Sequence, residues 1–393
     1  MRVKTTSGSP NKNNQVVHQR HIQNYLINNA VDIKAQEPDK TELLRQLCKY
    51  GVAVIKVDDN SENQAETKFE KLKEKLFTIT KKYGPETKKM QKLASDPAYQ
   101  RNGEALSFMP PIEDRRRSVI LHNRHFNDSI SVKKKENIEL DFKPVEKQVI
   151  SEMFKLIEDI GLKVLNYLND LPSINGSLTH TIESFKNSEQ TRLGTNYLSK
   201  TKNYQSNAAA EIQAYEDLIK PHNDYDALTI VSQDFDSDGY YFEYQGERIP
   251  LKLPRNHLLV QIGEQMQIIS KDLIPATKHG VIDTASDKDI TDRVSIALFM
   301  HPSINNKLDS ITMNDERKES KLLTAFKEAI KSSTEISSHE YSRFRKLVRR
   351  LRTMELTDLE VYKKDFLIKM IADYDRADLS DKVSVDLREK LSA

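Results

Sequence analysis

The chain has 393 residues, enough for one large core or one core with an appendage. Its 61 basic and 59 acidic residues nearly cancel, so no strong field invites a nucleic acid or a membrane surface. The single cysteine, Cys48, excludes an internal disulfide and suits a reducing compartment. There is no charged-then-apolar leader and no apolar run of about 18 residues, so a cytoplasmic protein is expected.

Residues 1–30 are poor in apolar positions and read as a disordered tail. The first regular element begins near Thr41, where Leu43, Leu44 and Leu47 make an apolar face. Gly51 can end that helix, and GVAVIKV (Gly51 to Val57) reads as a buried strand. Phe69, Leu72, Leu76, Ile79 and Tyr83 recur at helical spacing, which predicts an amphipathic helix stopped by Gly84 and Pro85. Residues 96–143 carry Pro97, Gly103, Pro110, Pro111 and the basic run Arg115 to Arg117. They read as a surface excursion or a substrate lid, with a strand over Ser118 to Phe126.

From Val149 to Leu168 one stripe, Ile150, Met153, Phe154, Ile157, Ile160, Val164, Leu165 and Leu168, predicts a long helix against a sheet. Beyond Pro172 and Gly176 the pattern changes to short apolar runs separated by turn residues. Strands are predicted over Arg192 to Leu198, Leu228 to Ser232, Gly239 to Tyr244, Arg248 to Leu253, His257 to Ile262, Met266 to Ile269 and Val294 to Met300. Many short strands at close spacing argue for a sandwich or jelly roll. After Ser303 the chain turns helical, with Phe344, Leu347, Val348 and Leu351 on one face. Arg345, Arg349 and Arg352 form a basic stripe on another, read as a solvated face.

Three side chains stand out as metal ligands. His222 and Asp224 lie two positions apart, and His279 follows 57 positions after His222. Two imidazoles and one carboxylate can fill one face of an octahedron and leave three positions open, an arrangement suited to non-haem Fe(II) and O₂. Asp226, near the pair, reads as a turn or capping residue. Arg293 and Ser295 sit at period-two spacing on a later strand. A guanidinium fork beside a hydroxyl makes a good carboxylate seat.

Taken together, these motifs resemble the isopenicillin N synthase-like branch of the Fe(II)/2-oxoglutarate-dependent dioxygenases. His222-Asn223-Asp224 with Ala227 to Ile230 looks like the family's metal-binding strand and its sequel. Gln233-Asp234, Gly239, Ile249-Pro250-Leu251 and LVQIGEQMQ (Leu259 to Gln267) are similar to segments that follow, and Arg293-Val294-Ser295 looks like its Arg-x-Ser. Leu43 to Gly84 resembles the branch's helix-strand-helix cap. Three positions depart from the pattern. Asn223 stands where Thr is usual, Gly280 stands where Arg is common, and TASDKD (Thr284 to Asp289) lengthens the gap to Arg293.

The resemblance implies an α+β protein built on a double-stranded β-helix, a cupin-like jelly roll with flanking helices and a helical C-terminal extension. It divides the chain into a tail (1–30), a cap (31–147) with a candidate lid at 96–143, the long helix with the catalytic jelly roll (148–302), and the extension (303–393). It implies Fe(II) on His222, Asp224 and His279, and 2-oxoglutarate as cosubstrate on Arg293 and Ser295, with Tyr197 as a further cosubstrate-binding residue. The activity implied is hydroxylation, desaturation or cyclisation of a small-molecule or peptide-like substrate using O₂, with neither nucleic acid nor membrane as partner. Two alternatives stay open: an Fe(II) oxidase of the same fold that uses no 2-oxoglutarate, and a non-catalytic scaffold with a partner-binding tail.

Overall fold

The computed structural model describes residues 12–35, 38–57, 67–83, 117–123, 142–171, 179–186, 188–198, 217–234, 239–282, 293–303 and 305–308. Toward the C-terminus it describes positions 324, 327, 336–338, 341–342 and 345. The candidate lid therefore lies outside the described residues except for 117–123 and 142–143, as does most of the C-terminal extension.

The chain opens with α1 (Lys12–Asn28), β1 (Val31–Asp32), α2 (Lys40–Tyr50), β2 (Val52–Lys56) and α3 (Lys68–Lys82). Strand β3 (Arg117–Asn123) leads to the long α4 (Pro144–Asn169), the short α5 (Thr179–Phe185) and β4 (Arg192–Leu198). The strands β5 (Asp217–His222), β6 (Leu228–Gln233), β7 (Tyr240–Tyr244), β8 (Glu247–Pro250) and β9 (His257–Ile262) follow. After them come α6 (Glu264–Ile269), β10 (His279–Ile282) and β11 (Arg293–Met300).

The strands form two sheets. The larger runs β1-β2-β9-β6-β11-β4-β3 and the smaller β5-β10-β7-β8. All neighbours are antiparallel except β1 and β2. Alternation along the larger sheet sorts its side chains into two layers. Ala53, Ile55, Ile230, Leu258, Val260, Ile296 and Leu298 join the stripe of α4 and the apolar face of α3 in one core. Val52, Val54, Val231, Leu259 and Ala297 point the other way, onto Tyr240, Phe242 and Ile249 of the smaller sheet. This is the sandwich expected of a jelly roll, with helices on its outer face.

Local signals explain most boundaries. Gly51 takes φ +72° as the left-handed cap of α2, and its amide donates to Leu47 O. Asp39 and Thr67 cap α2 and α3 by accepting from Glu42 and Glu70 amides. At α4 the Glu146 carboxylate accepts from the Lys143 amide, and Pro144 occupies the first turn.

Two expectations are corrected. The N-terminal stretch expected to be disordered to residue 30 is helical from Lys12, because Ile22 and Leu26, four apart, are buried against the inter-sheet core. Burying each such side chain is worth roughly 1.5–3 kcal/mol, enough to hold a helix with little periodicity elsewhere. Met266 to Ile269, expected as a strand, is helical within α6, whose Gly263 and Glu264 start the turn. Strand β3 begins at Arg117 and pairs with β4, so the Ser118 region is an edge strand of the larger sheet.

Candidate metal centre

β5 and β10 are neighbours in the smaller sheet, with His279 directly opposite His222. Residues paired across antiparallel strands point the same way, so the two imidazoles project together, ring centroids 4.5 Å apart. Asp224 lies two residues beyond β5. Its Oδ1 is 3.7 Å from His222 Nε2 and its Oδ2 3.7 Å from His279 Nε2. One ligand atom from each of the three residues falls within 4.8 Å of the others.

The backbone selects the tautomers. His222 Nδ1 is 2.9 Å from Lys220 O and His279 Nδ1 3.0 Å from Thr277 O. A carbonyl can only accept, so each Nδ1 carries the hydrogen and each Nε2 keeps a lone pair for a metal. Asp224 Oδ2 is held from behind by Thr229 Oγ1 and Gln261 Nε2, each at 2.7 Å. Gln261 is fixed in turn by Tyr240, whose hydroxyl donates to Gln261 Oε1 at 2.8 Å. Burial alone would raise the Asp224 carboxyl; the positive charge of the His279 and His222 rings when protonated, together with these hydrogen bonds, outweighs it and lowers its pKa.

Asp226 does the opposite. Burial and the neighbouring Asp224 charge push its carboxyl well above the usual range, against one hydrogen bond from Thr229. Thr229 Oγ1 stands 2.7 Å from both carboxylates and has one hydrogen to give. Asp226 is thus the less acidic of the two carboxyls, and it lies outside the cluster of three candidate ligands. One carboxylate between two imidazole Nε2 atoms is the donor set that a divalent first-row metal takes, so these residues fit Fe(II).

Arg293 and Ser295, the residues expected to seat a carboxylate, lie on β11. Register places Arg293 and Ser295 on the same face as Ala297, the face turned toward the smaller sheet. The Arg293 guanidinium reaches that sheet: a Cβ added to Gly239 would stand 3.2 Å from its Nη1. Gln233 is the direct partner of Ser295 on β6. Both polar atoms of its amide are buried without a hydrogen-bond partner among the described residues. A buried orphan amide beside a hydroxyl, two positions from a guanidinium, fits the carboxylate of a dicarboxylic acid.

Tyr197 does not join them. It pairs opposite Val294 and therefore shares a face with Val294 and Ile296, in the core beneath α4. Its neighbour Asn196 pairs with Ser295 and shares its face of the sheet instead. Period two cannot say which member of an Asn-Tyr pair faces inward until the partner strand's register is known. The departure at Gly280 also has a cause. Its Cβ would stand 2.6 Å from Tyr241 Oη and 2.7 Å from Ile219 O, so no side chain fits. Tyr241 instead donates to Asp217 at 3.0 Å beneath the Arg248 guanidinium.

A family model, the 2OG-Fe(II) oxygenase superfamily, matches residues 195–302. That span holds all three ligands, Arg293 and Ser295. The chain is also 34% identical over 91 residues to gibberellin 2-beta-dioxygenase 7 of Arabidopsis thaliana. That alignment covers 23% of this chain and 26% of the relative, so the chain spans about a quarter of its length. Among solved structures, a full-length Neurospora crassa protein in complex with alpha-KG superposes with a TM-score of 0.56 at 17% identity, covering 78% of this chain and 88% of that one. JOX2 in complex with 2OG, Fe and JA gives 0.50 at 16% identity, covering 77% and 80%. At these identities the likeness is one of fold, and that fold is the jelly roll.

Sequence reading missed Thr229, Gln261, Gln233 and Asn196. The available signal was a lone amide in an apolar strand: Gln261 in HLLVQI and Gln233 ending LTIVSQ. Arg345, read as part of a solvated stripe, is instead paired with the buried Glu264.

Proposed function

We propose that the protein is a non-haem Fe(II) dioxygenase that couples oxidative decarboxylation of 2-oxoglutarate to oxidation of a small organic substrate. The observation that carries this reading is the His222, Asp224 and His279 cluster inside a matched oxygenase domain. In this reading His222 Nε2, His279 Nε2 and an Asp224 oxygen hold the iron. Arg293 and Ser295 take the distal carboxylate of 2-oxoglutarate, with Gln233 and Asn196 on the same face. When bound, the pair supplies oxidising power: one O₂ and one 2-oxoglutarate give succinate, CO₂ and an oxygen atom for the substrate C–H.

The chain's own part is to orient and to exclude water. Tyr240, Phe242 and Val231 line the inter-sheet core around the site, and Thr229 and Gln261 keep Asp224 charged and in place. Hydroxylation, desaturation and cyclisation are all open to such a site. We read residues 31–147 as the cap with a lid at 96–143, 148–302 as the catalytic unit and 303–393 as its extension. Among the described residues no helix is long and apolar enough to cross a membrane, and we propose a cytoplasmic site of action.

The deciding experiment is anaerobic addition of Fe(II) and 2-oxoglutarate. A weak visible charge-transfer band is expected, and it should vanish in His279→Ala. Iron binding without a band, together with turnover indifferent to 2-oxoglutarate, would support an oxidase in which Arg293 and Ser295 grip the substrate's own carboxylate.

A further inference from the structure

Helix α6 stands against the metal loop, and its first amides hold that loop. Gly263 N–H donates to Ala227 O at 3.1 Å, Glu264 N–H to Asp224 O at 2.8 Å and Gln265 N–H to Asp226 O at 2.9 Å. The approach is close: a Cβ on Gly263 would stand 2.2 Å from Asp226 O. The backbone of the ligand Asp224 is therefore placed by α6. With six residues, α6 is too short to hold its own shape in water.

Its anchors come from the C-terminal part of the chain. Glu264 is 1% exposed, and Arg345 grips it as a fork, Nη2 to Oε1 at 2.6 Å and Nε to Oε2 at 2.5 Å. The Tyr341 hydroxyl adds a third bond to Oε2 at 2.8 Å. Gln265, fully buried, donates from Nε2 to Ser342 Oγ at 2.9 Å and accepts at Oε1 from Ser338 Oγ at 3.0 Å. Four side chains between 338 and 345 thus fasten the two residues whose amides hold Asp224 and Asp226.

We propose that this C-terminal segment is a positioning clamp for the metal loop, with Arg345 its central residue. Its geometry stands alone; its consequence for the metal rests on the reading above. The extension beyond residue 302 is then a working part of the centre, although the matched oxygenase domain ends before it.

The sign of the effect separates a clamp from a bystander charge. Arg345 is a cation near a cation site, so by Coulomb's law alone its removal should tighten metal binding. Loss of a clamp should weaken it. Arg345→Lys isolates the geometry further, because it keeps the charge and loses the fork.

The test uses the full chain as wild type, Arg345→Lys and Arg345→Met. Amide hydrogen exchange at residues 263–265 is read without metal, and Co(II) binding by visible absorption. Both variants are expected to exchange these amides faster. The Co(II) dissociation constant should rise about ten-fold in Arg345→Met, in the range found when an outer partner of a ligand is lost, and less in Arg345→Lys. Unchanged exchange would overturn the clamp, as would faster exchange with Co(II) affinity unchanged or tighter. If Arg345→Met does not fold, Arg345→Lys carries both readouts, with the same results deciding. A wild-type chain that takes up no Co(II) would overturn the metal reading and the positioning role together.

Discussion

Gln261 and Asp224, 37 residues apart, meet through one hydrogen bond of 2.7 Å from the Gln261 amide to Asp224 Oδ2. The same nitrogen stands 3.2 Å from His279 Nε2, whose lone pair a metal would take in place of the amide, leaving Gln261 to hold Asp224. Gln261→Leu keeps similar bulk but removes that donor and leaves the buried Tyr240 hydroxyl without its acceptor. Fe(II) or Co(II) affinity should fall by about 10- to 100-fold, the usual loss for such a partner, while the fold persists. Isothermal titration beside a thermal melt separates the two effects. Wild-type affinity in a folded variant would remove Gln261 from the centre.

His222→Ala, Asp224→Ala and His279→Ala should each abolish tight metal binding and turnover. Each leaves two protein ligands, too few to hold a labile divalent ion. Circular dichroism should change little, since these residues belong to neither of the two apolar cores. Full turnover by any of the three under limiting iron would sink the assignment.

Arg293→Lys should weaken the cosubstrate and spare the metal. Lysine keeps the charge but cannot present two parallel donors, a loss on the order of 1.5–3 kcal/mol. That corresponds to an apparent requirement for 2-oxoglutarate about ten- to hundred-fold higher. Tyr197→Phe, altered on the opposite face of the sheet, should leave that requirement unchanged. An effect on the prime substrate alone would show that the fork serves the substrate.

One carboxylate gives the fold an acid limit. Burial works to raise Glu146, but the Lys82 ammonium, the Lys143 amide and the Tyr83 hydroxyl outweigh it and hold its pKa below the usual value. A lowered folded-state pKa contributes stability above the unfolded value, about 4.3, and loses it as pH falls through the folded one. The melting temperature should therefore drop on acidification through that window, and Glu146→Gln should flatten the drop. An unchanged slope would show that the pairing of α3 with α4 through this residue contributes nothing.

What the sequence disclosed follows physical lines. The stripe of α4 was legible because eight apolar residues at 3.6 spacing admit one reading, and β2 and β9 because they are continuous apolar runs. Helix α6 was not, since Met266, Ile268 and Ile269 span too few residues to show a period. The ligand set was legible through spacing, but β5 was not, because Lys220 and Pro221 interrupt any alternation. Tyr197 and Arg345 failed for a shared reason. Which way a side chain faces depends on a partner distant in sequence, Val294 for one and Glu264 for the other.

The place of β2 has a further consequence. Val52 pairs with Gln261, so β9 has one of its two neighbours supplied from far earlier in the chain. If residues 195–302 were expressed as a fragment, β9 would be left as an open edge with Leu258, Val260 and Ile262 on one face, ready to pair with another copy. During synthesis the order is reversed: β2 leaves the ribosome first and must wait, with only the short β1 beside it, for about two hundred residues. The matched segment thus completes its larger sheet only when that early strand is present.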